Sequence, residues 1–270
     1  MTATVLVCPP MFFDVKYSIN PWMKNEPVDK RLAVEQWWQM KHTLERLGAK
    51  TAIIGQPPHL PDLVFTANAG TVRGNKVVLS NFKHLERKLE HNEFDKWFTE
   101  KGYETYALPA SLNFEGCGDT IVSGDRLIAG YGFRSDLKAL RLTAEILDLK
   151  LTHLKLKNPN FYHLDTCFSL LRPDLAIYYP GAFSKYTISK IKDIELIPVS
   201  DEEANRFACN SIVFGDNILM PSGNESLAAS LEERGLKVHL IDTSEFLKSG
   251  GSLQCMALWI CPRITITLKS

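Results

Sequence analysis

Asp119-Thr120-Ile121-Val122-Ser123-Gly124-Asp125-Arg126-Leu127-Ile128-Ala129 sets a polar residue ahead of two short apolar runs joined by Gly-Asp. The stretch Asn210-Ser211-Ile212-Val213-Phe214-Gly215-Asp216-Asn217-Ile218-Leu219-Met220 repeats that pattern position for position. Gly-Asp between apolar runs is a hairpin signal, because glycine supplies the positive φ that a two-residue turn needs. Working outward, a third copy begins at Asn68 and turns at Gly74-Asn75, and further polar anchors stand at Asp165 and Cys255. Successive anchors are 51, 46, 45 and 45 residues apart. A period of that size marks a repeated supersecondary unit.

Upstream of the anchors the periodicity changes. Apolar residues at helical spacing predict helices over residues 30–47, 91–101, 138–147, 182–192 and 226–234, three of which run into Gly48, Gly102 and Gly235, the usual stop signal. Short strands follow over residues 49–54, 103–108, 149–155, 194–199 and 237–242, and a strand over 4–8 completes the first unit. Helix, strand, loop and hairpin, repeated in this way, predict an α/β chain of five blades about a pseudo-fivefold axis, with residues 1–270 as one domain. An open α/β sheet with coincidental spacing is the competing arrangement.

The 31 basic and 31 acidic side chains cancel, which removes any global electrostatic case for nucleic acid or an anionic membrane. A small molecule is the expected ligand. No apolar run approaches the roughly 18 residues of a spanning helix. Residues 4–13 are apolar but follow no basic residue and contain Pro9-Pro10, so they do not read as a secretion signal, and a cytoplasmic protein is expected. Cys8, Cys117, Cys167, Cys209, Cys255 and Cys261 show no paired metal-ligand spacing and no disulfide framework; most are expected as small core residues. No Gly-x-Gly-x-x-Gly joins a strand to a helix, so no metal, nucleotide or other cofactor is expected. Apolar strand edges are compatible with a homo-oligomer.

Lys248-Ser249-Gly250-Gly251-Ser252-Leu253-Gln254-Cys255 delivers one cysteine after a glycine pair that allows a sharp turn, a setting suited to a nucleophile. Such a thiol needs an acid–base partner, a group to orient that partner and something to hold the electrophile. His163, in Phe161-Tyr162-His163-Leu164-Asp165, has a carboxylate two residues on, so both project to one face of an extended segment. Phe114-Glu115-Gly116-Cys117-Gly118-Asp119 places two acids on a backbone able to approach a cation, although a turn with solvated acids reads the same way. Asp62 and Asn68, six residues apart, share a side of the chain if it is extended. Each feature alone is commonplace. Together they fall at or beside the periodic anchors, which a fivefold ring brings to its axis.

These segments resemble the motifs of the guanidine-modifying enzymes, the family of arginine deiminases, amidinotransferases and dimethylargininases, over nearly the whole chain. That family's fold is the five-bladed α/β propeller, or pentein fold. Residues 61–70 and Ile19-Asn20-Pro21-Trp22-Met23 look most similar to the arginine dihydrolases. The resemblance implies Cys255 as nucleophile, His163 as general acid and base, and Glu115 and Asp165 as acids that position the substrate. It further implies Asp62, Asn68, Asp119 and Asn20 as substrate contacts, and Arg134 and Arg87 as partners of a substrate carboxylate. Two positions depart from the pattern: Cys117 stands where the motif usually has glycine, and Asn68 where deiminases and dimethylargininases usually have aspartate.

A guanidinium carbon is a poor electrophile, so carboxylates must fix the group's plane and stabilise its cationic form while the carbon becomes tetrahedral. The implied sequence is attack by Cys255, departure of an amine protonated by His163, and hydrolysis of an S-alkylthiouronium. At position 68 an aspartate would accept hydrogen bonds only, matching the all-donor guanidinium, whereas asparagine also donates and can hold a ureido oxygen. The expected reaction is therefore that of an arginine dihydrolase, with arginine and two waters giving ornithine, two ammonia and carbon dioxide. A deiminase stopping at citrulline and a dimethylargininase use the same residues. A silent propeller that binds a macromolecule, like the related ribosome anti-association factors, would be expected to lack the Cys255 and His163 pair.

Overall fold

The computed structural model describes residues 3–24 and 26–260; Cys261 lies outside them. The first strand, β1 (Thr4–Val7), leads through a long loop to helix α1 (Lys30–Arg46) and then to β2 (Lys50–Ile53), parallel to β1. The second unit comprises β3 (Gly70–Arg73), β4 (Lys76–Leu79), α2 (Glu90–Glu100) and β5 (Glu104–Tyr106). The third comprises β6 (Thr120–Ser123), β7 (Arg126–Tyr131), α3 (Leu137–Ile146) and β8 (Lys150–Lys155). The fourth is β9 (Phe168–Arg172), β10 (Leu175–Tyr178), α4 (Lys185–Ile188) and β11 (Glu195–Pro198). After α5 (Asp201–Asn205) come β12 (Ile212–Phe214), β13 (Asn217–Pro221), α6 (Glu225–Glu232) and β14 (Lys237–Ile241), then α7 (Ser244–Leu247) and β15 (Leu258–Trp259).

Each sheet has three strands, a hairpin pair followed by a third strand parallel to the middle one. In the first blade the chain's two ends supply the antiparallel pair, with Val5 opposite Trp259 and Leu6 opposite Leu258. The result is the expected five-bladed α/β propeller. Gly74, Gly124 and Gly215 turn three of the hairpins with φ between 59° and 60°, the mirror-image geometry that suits the strands' twist. The fourth hairpin turns at Pro173-Asp174 without glycine, and its register slips between Leu175 and Ala176. That unit therefore carried no Gly-Asp signal.

Helices cover the sheets. Asp29 caps α1 by accepting from the backbone N–H of Arg31 and Leu32, and the stripe Ala33, Trp37, Met40 and Leu44 faces inward. Burying Trp37, Met40 and Leu44 contributes on the order of 1.5–3 kcal/mol each. The helix expected over residues 182–192 is shorter. Ser184 caps it by accepting from Thr187 N, so it starts at Lys185, and it ends at Ile188 in a run of β-branched and hydroxyl residues with weak helical preference.

The anchors occupy tight turns at the entrance to each blade. Asn68 lies in the 3₁₀ turn Thr66–Ala69, Asp119 follows Gly116–Gly118, Asp165 lies in Leu164–Thr166 and Cys255 in Gln254–Met256. These turns pack on one another around the axis, the first against both the second and the last. Asn210 closes the ring, donating to Asp165 O at 3.1 Å and accepting from Gln254 N at 3.1 Å. Among the described residues no helix is long and apolar enough to cross a membrane.

Candidate active site

Asn20, Asp62, Asn68 and Arg87 line one cavity together with Arg134, His163 and Cys255. Its walls enclose about 10 Å³, so a molecule larger than a water displaces part of them. Glu115 and Asp165 stand one layer deeper, each touching a residue of the wall. Asp119 is not part of the lining. Its Oδ1 accepts from Leu164 N at 3.2 Å, which ties the third blade to the turn carrying His163, and burial raises its carboxyl to about 6.

The nucleophile candidate is held from two sides. Cys255 Sγ donates to Asp165 Oδ2 at 3.2 Å and accepts from Asn210 Nδ2 at 3.2 Å. Burial first, and then the charge of Asp165, push the thiol well above its ordinary value. Burial likewise raises Asp165 to about 7, and its second oxygen, Oδ1, is buried without a partner. A planar cation donating to Oδ1 would relieve both.

His163 Nε2 lies 2.9 Å from Glu115 Oε2, which also accepts from Arg134 Nη1 at 2.9 Å, while Oε1 accepts from Lys83 N at 3.2 Å. Burial alone would raise Glu115, but Arg134 and His163 overcome it and hold the carboxyl well below the usual range. An ionised Glu115 only accepts, so the proton between it and His163 belongs to Nε2. Gly118 makes this approach feasible: a Cβ there would lie 2.4 Å from Asn68 Nδ2 and 3.0 Å from His163 Nδ1. Cys117 needs no positive φ, so the 3₁₀ turn accepts a side chain at that position.

Both arginines expected at a substrate carboxylate are already engaged. Arg87 forms a two-pronged ion pair with Glu90, Nε to Oε1 and Nη2 to Oε2, both at 2.8 Å, and gives Nη1 to Asn68 Oδ1 at 3.0 Å. Glu90 is fully buried and, mainly through burial, raised to about 7. Arg134 gives Nη2 to Ile19 O at 2.9 Å and stacks on Tyr162 with 4.6 Å to the ring centroid. Removing one member of a buried pair strands the other, so Glu90→Ala is expected to destabilise the fold by about 3–5 kcal/mol. Replacing both, as Arg87→Met with Glu90→Leu, is expected to cost less; chemical denaturation of the two variants checks the order.

Several residues here were not singled out by the sequence. Tyr17 and Ser249 donate to the two oxygens of Asp62 at 2.9 and 3.1 Å, and Asn20 Nδ2 donates to Ser249 O at 3.0 Å. Burial raises the Asp62 carboxyl in spite of these donors. Glu90 carried a weak signal, being three residues after Arg87 where a helix begins. Asn210 was visible only as a periodic anchor. Tyr17 carried none.

The family model for eukaryotic N,N-dimethylarginine dimethylhydrolase matches residues 16–261. The chain belongs to that family. This dimethylarginine dimethylhydrolase relative is 41% identical over 263 residues to the bifunctional arginine dihydrolase/ornithine cyclodeaminase ArgZ of Synechocystis sp., covering 94% of this chain and 37% of that protein. The chain thus spans little more than a third of the bifunctional relatives it matches. It is also 37% identical to the N(G),N(G)-dimethylarginine dimethylaminohydrolase of Mycobacterium tuberculosis, covering 97% of this chain and 87% of that one. The crystal structure of the N-terminal domain of ArgZ bound to substrate, an arginine dihydrolase of the cyanobacterial ornithine–ammonia cycle, superposes with a TM-score of 0.93. The identity is 41%, over 96% of this chain and 98% of that one.

Proposed function

We propose that residues 1–270 form one catalytic unit, a cytoplasmic arginine dihydrolase that converts arginine and two waters to ornithine, two ammonia and carbon dioxide. The observation that carries this reading is the Asn68 amide on the cavity wall. Arg87 Nη1 fixes its oxygen, and Nδ2 donates to Glu115 O at 3.1 Å, leaving the second N–H of Nδ2 to take a ureido oxygen. The arginine dihydrolase named among the relatives supports it.

Arginine's guanidinium enters beside Asp165, whose partnerless Oδ1 takes an N–H, and the added positive charge favours the Cys255 thiolate. The Cys255 proton passes to His163 Nδ1 as the sulfur bonds to the guanidinium carbon, and His163, oriented by Glu115, returns that proton to the nitrogen as the carbon–nitrogen bond breaks and ammonia departs. His163 then deprotonates water, which adds to the S-alkylthiouronium; the carbon–sulfur bond breaks and citrulline results. A second round on the ureido carbon releases the second ammonia and leaves a carbamate that loses carbon dioxide. Arg134 is the partner of the substrate carboxylate: its Nη2 is held only by the neutral Ile19 carbonyl and can exchange that contact for a carboxylate, whereas Arg87 is held by two bonds to the Glu90 carboxylate and one to Asn68.

A dimethylargininase is the second reading, favoured by the family and by the nearly full-length match to the mycobacterial enzyme. Asn68→Asp separates the two. Aspartate keeps the contact to Arg87 but opposes its oxygens to Glu115 O and to a ureido oxygen, at roughly 1–3 kcal/mol for the unsatisfied acceptor. The second hydrolysis is expected to slow by about tenfold to a hundredfold relative to the first, shifting product from ornithine to citrulline. If the unaltered protein yields no ornithine from arginine or citrulline, and instead releases dimethylamine from dimethylarginine, the second reading replaces the first.

A further inference from the structure

We infer that Asn210 is a catalytic residue, which holds the Cys255 sulfur in its thiolate form during turnover; this rests on the reading of Cys255 as the nucleophile. Asn210 is wholly buried in the ring of turns and does not line the cavity. Its amide is fixed in one orientation. Oδ1 accepts from Cys255 N at 3.3 Å, while Nδ2 gives one hydrogen to Asp165 O at 3.1 Å and the other to Cys255 Sγ at 3.2 Å. Rotating the amide by half a turn would set its oxygen against Asp165 O and its NH₂ against the Cys255 N–H, losing both of those bonds and the donor to the sulfur.

The sulfur thus stands between an acceptor and a donor. As a thiol it donates to Asp165 Oδ2 at 3.2 Å; as a thiolate it turns to the Asn210 N–H and to the backbone N–H of Ser252. Asp165 touches the sulfur directly, and the titratable groups that share its cavity are Asp62, Arg87, Arg134, Tyr162 and His163. An amide is the appropriate donor here because it is neutral. Lysine or arginine in its place would stabilise the thiolate and also repel the guanidinium that has to approach.

The test uses the whole protein and two variants. Asn210→Leu keeps the volume and removes the donors; Asn210→Asp keeps the shape and the acceptor for Cys255 N–H while replacing the donor. Iodoacetamide labelling of Cys255 at pH 8, read on its own peptide by mass spectrometry, is expected to slow by about tenfold or more in both, the loss of one hydrogen bond to a charged atom. With arginine, kcat is expected to fall at least as far while KM stays within about threefold, since Asn210 is off the cavity wall. Unchanged labelling overturns the inference, and so does faster labelling, which is what a merely loosened turn would give by letting water reach the sulfur. If Asn210→Leu does not fold, Asn210→Asp decides alone by the same sign. Labelling does not depend on which reaction the enzyme performs, so a wrong nucleophile would show separately, as turnover surviving Cys255→Ser.

Discussion

Cys255→Ser is expected to lower ammonia release from arginine by about 10⁴-fold or more, with circular dichroism and thermal unfolding unchanged. A serine hydroxyl fits between Asp165 and Asn210 and keeps both hydrogen bonds, so the ring of turns has no reason to rearrange. What disappears is the thiolate: a hydroxyl in the same place stays protonated and is the weaker nucleophile at the guanidinium carbon. No other described cysteine is placed to take over. Cys8, Cys117, Cys167 and Cys209 do not line the cavity, and burial raises the thiols of Cys8, Cys167 and Cys209. Undiminished ammonia release, or an adduct mapped to one of those cysteines, would falsify the mechanism.

His163→Ala is expected to lower turnover by about 10²- to 10⁴-fold, the usual contribution of a general acid–base group. The imidazole is the group Glu115 is built to hold, and with it gone Glu115 keeps Arg134 and Lys83 N, so the wall should persist. Intact-protein mass spectrometry divides the loss between the two half-reactions. An arginine-derived adduct on Cys255 means that the amine still leaves and that water activation was lost; a bare thiol means that protonation of the amine was lost. Turnover within about tenfold of the unaltered protein rules His163 out as the proton carrier.

The architecture was legible because its period is written in chemistry that needs no partner. Hairpin glycines at Gly74, Gly124 and Gly215 and stop signals at Gly48, Gly102 and Gly235 are local. The helix over 182–192 was overread because an apolar stripe says nothing about where a cap such as Ser184 will begin it. In the site, the motif residues came together, but their pairings were hidden. Arg87 and Arg134 looked alike as cations, and only the fold shows one committed to Glu90 and the other to Glu115 and Ile19 O. Asp119, implied as a substrate contact, does not line the cavity and ties Leu164 to the preceding blade. Tyr17 reaches Asp62 across 45 residues of sequence, a contact that no local pattern encodes.

The pairing of Val5 with Trp259 also sets a timetable. On a ribosome β1 finds its parallel partner β2 early, yet its other edge waits until β15 (Leu258–Trp259) has emerged. Blades two to five can close on their own strands in the meantime. The first blade is completed after the other four, by the same few residues that deliver Cys255. From the making of His163 to that of Cys255 a growing chain therefore carries Asp62, Glu115 and His163 without the sulfur they face in the finished ring.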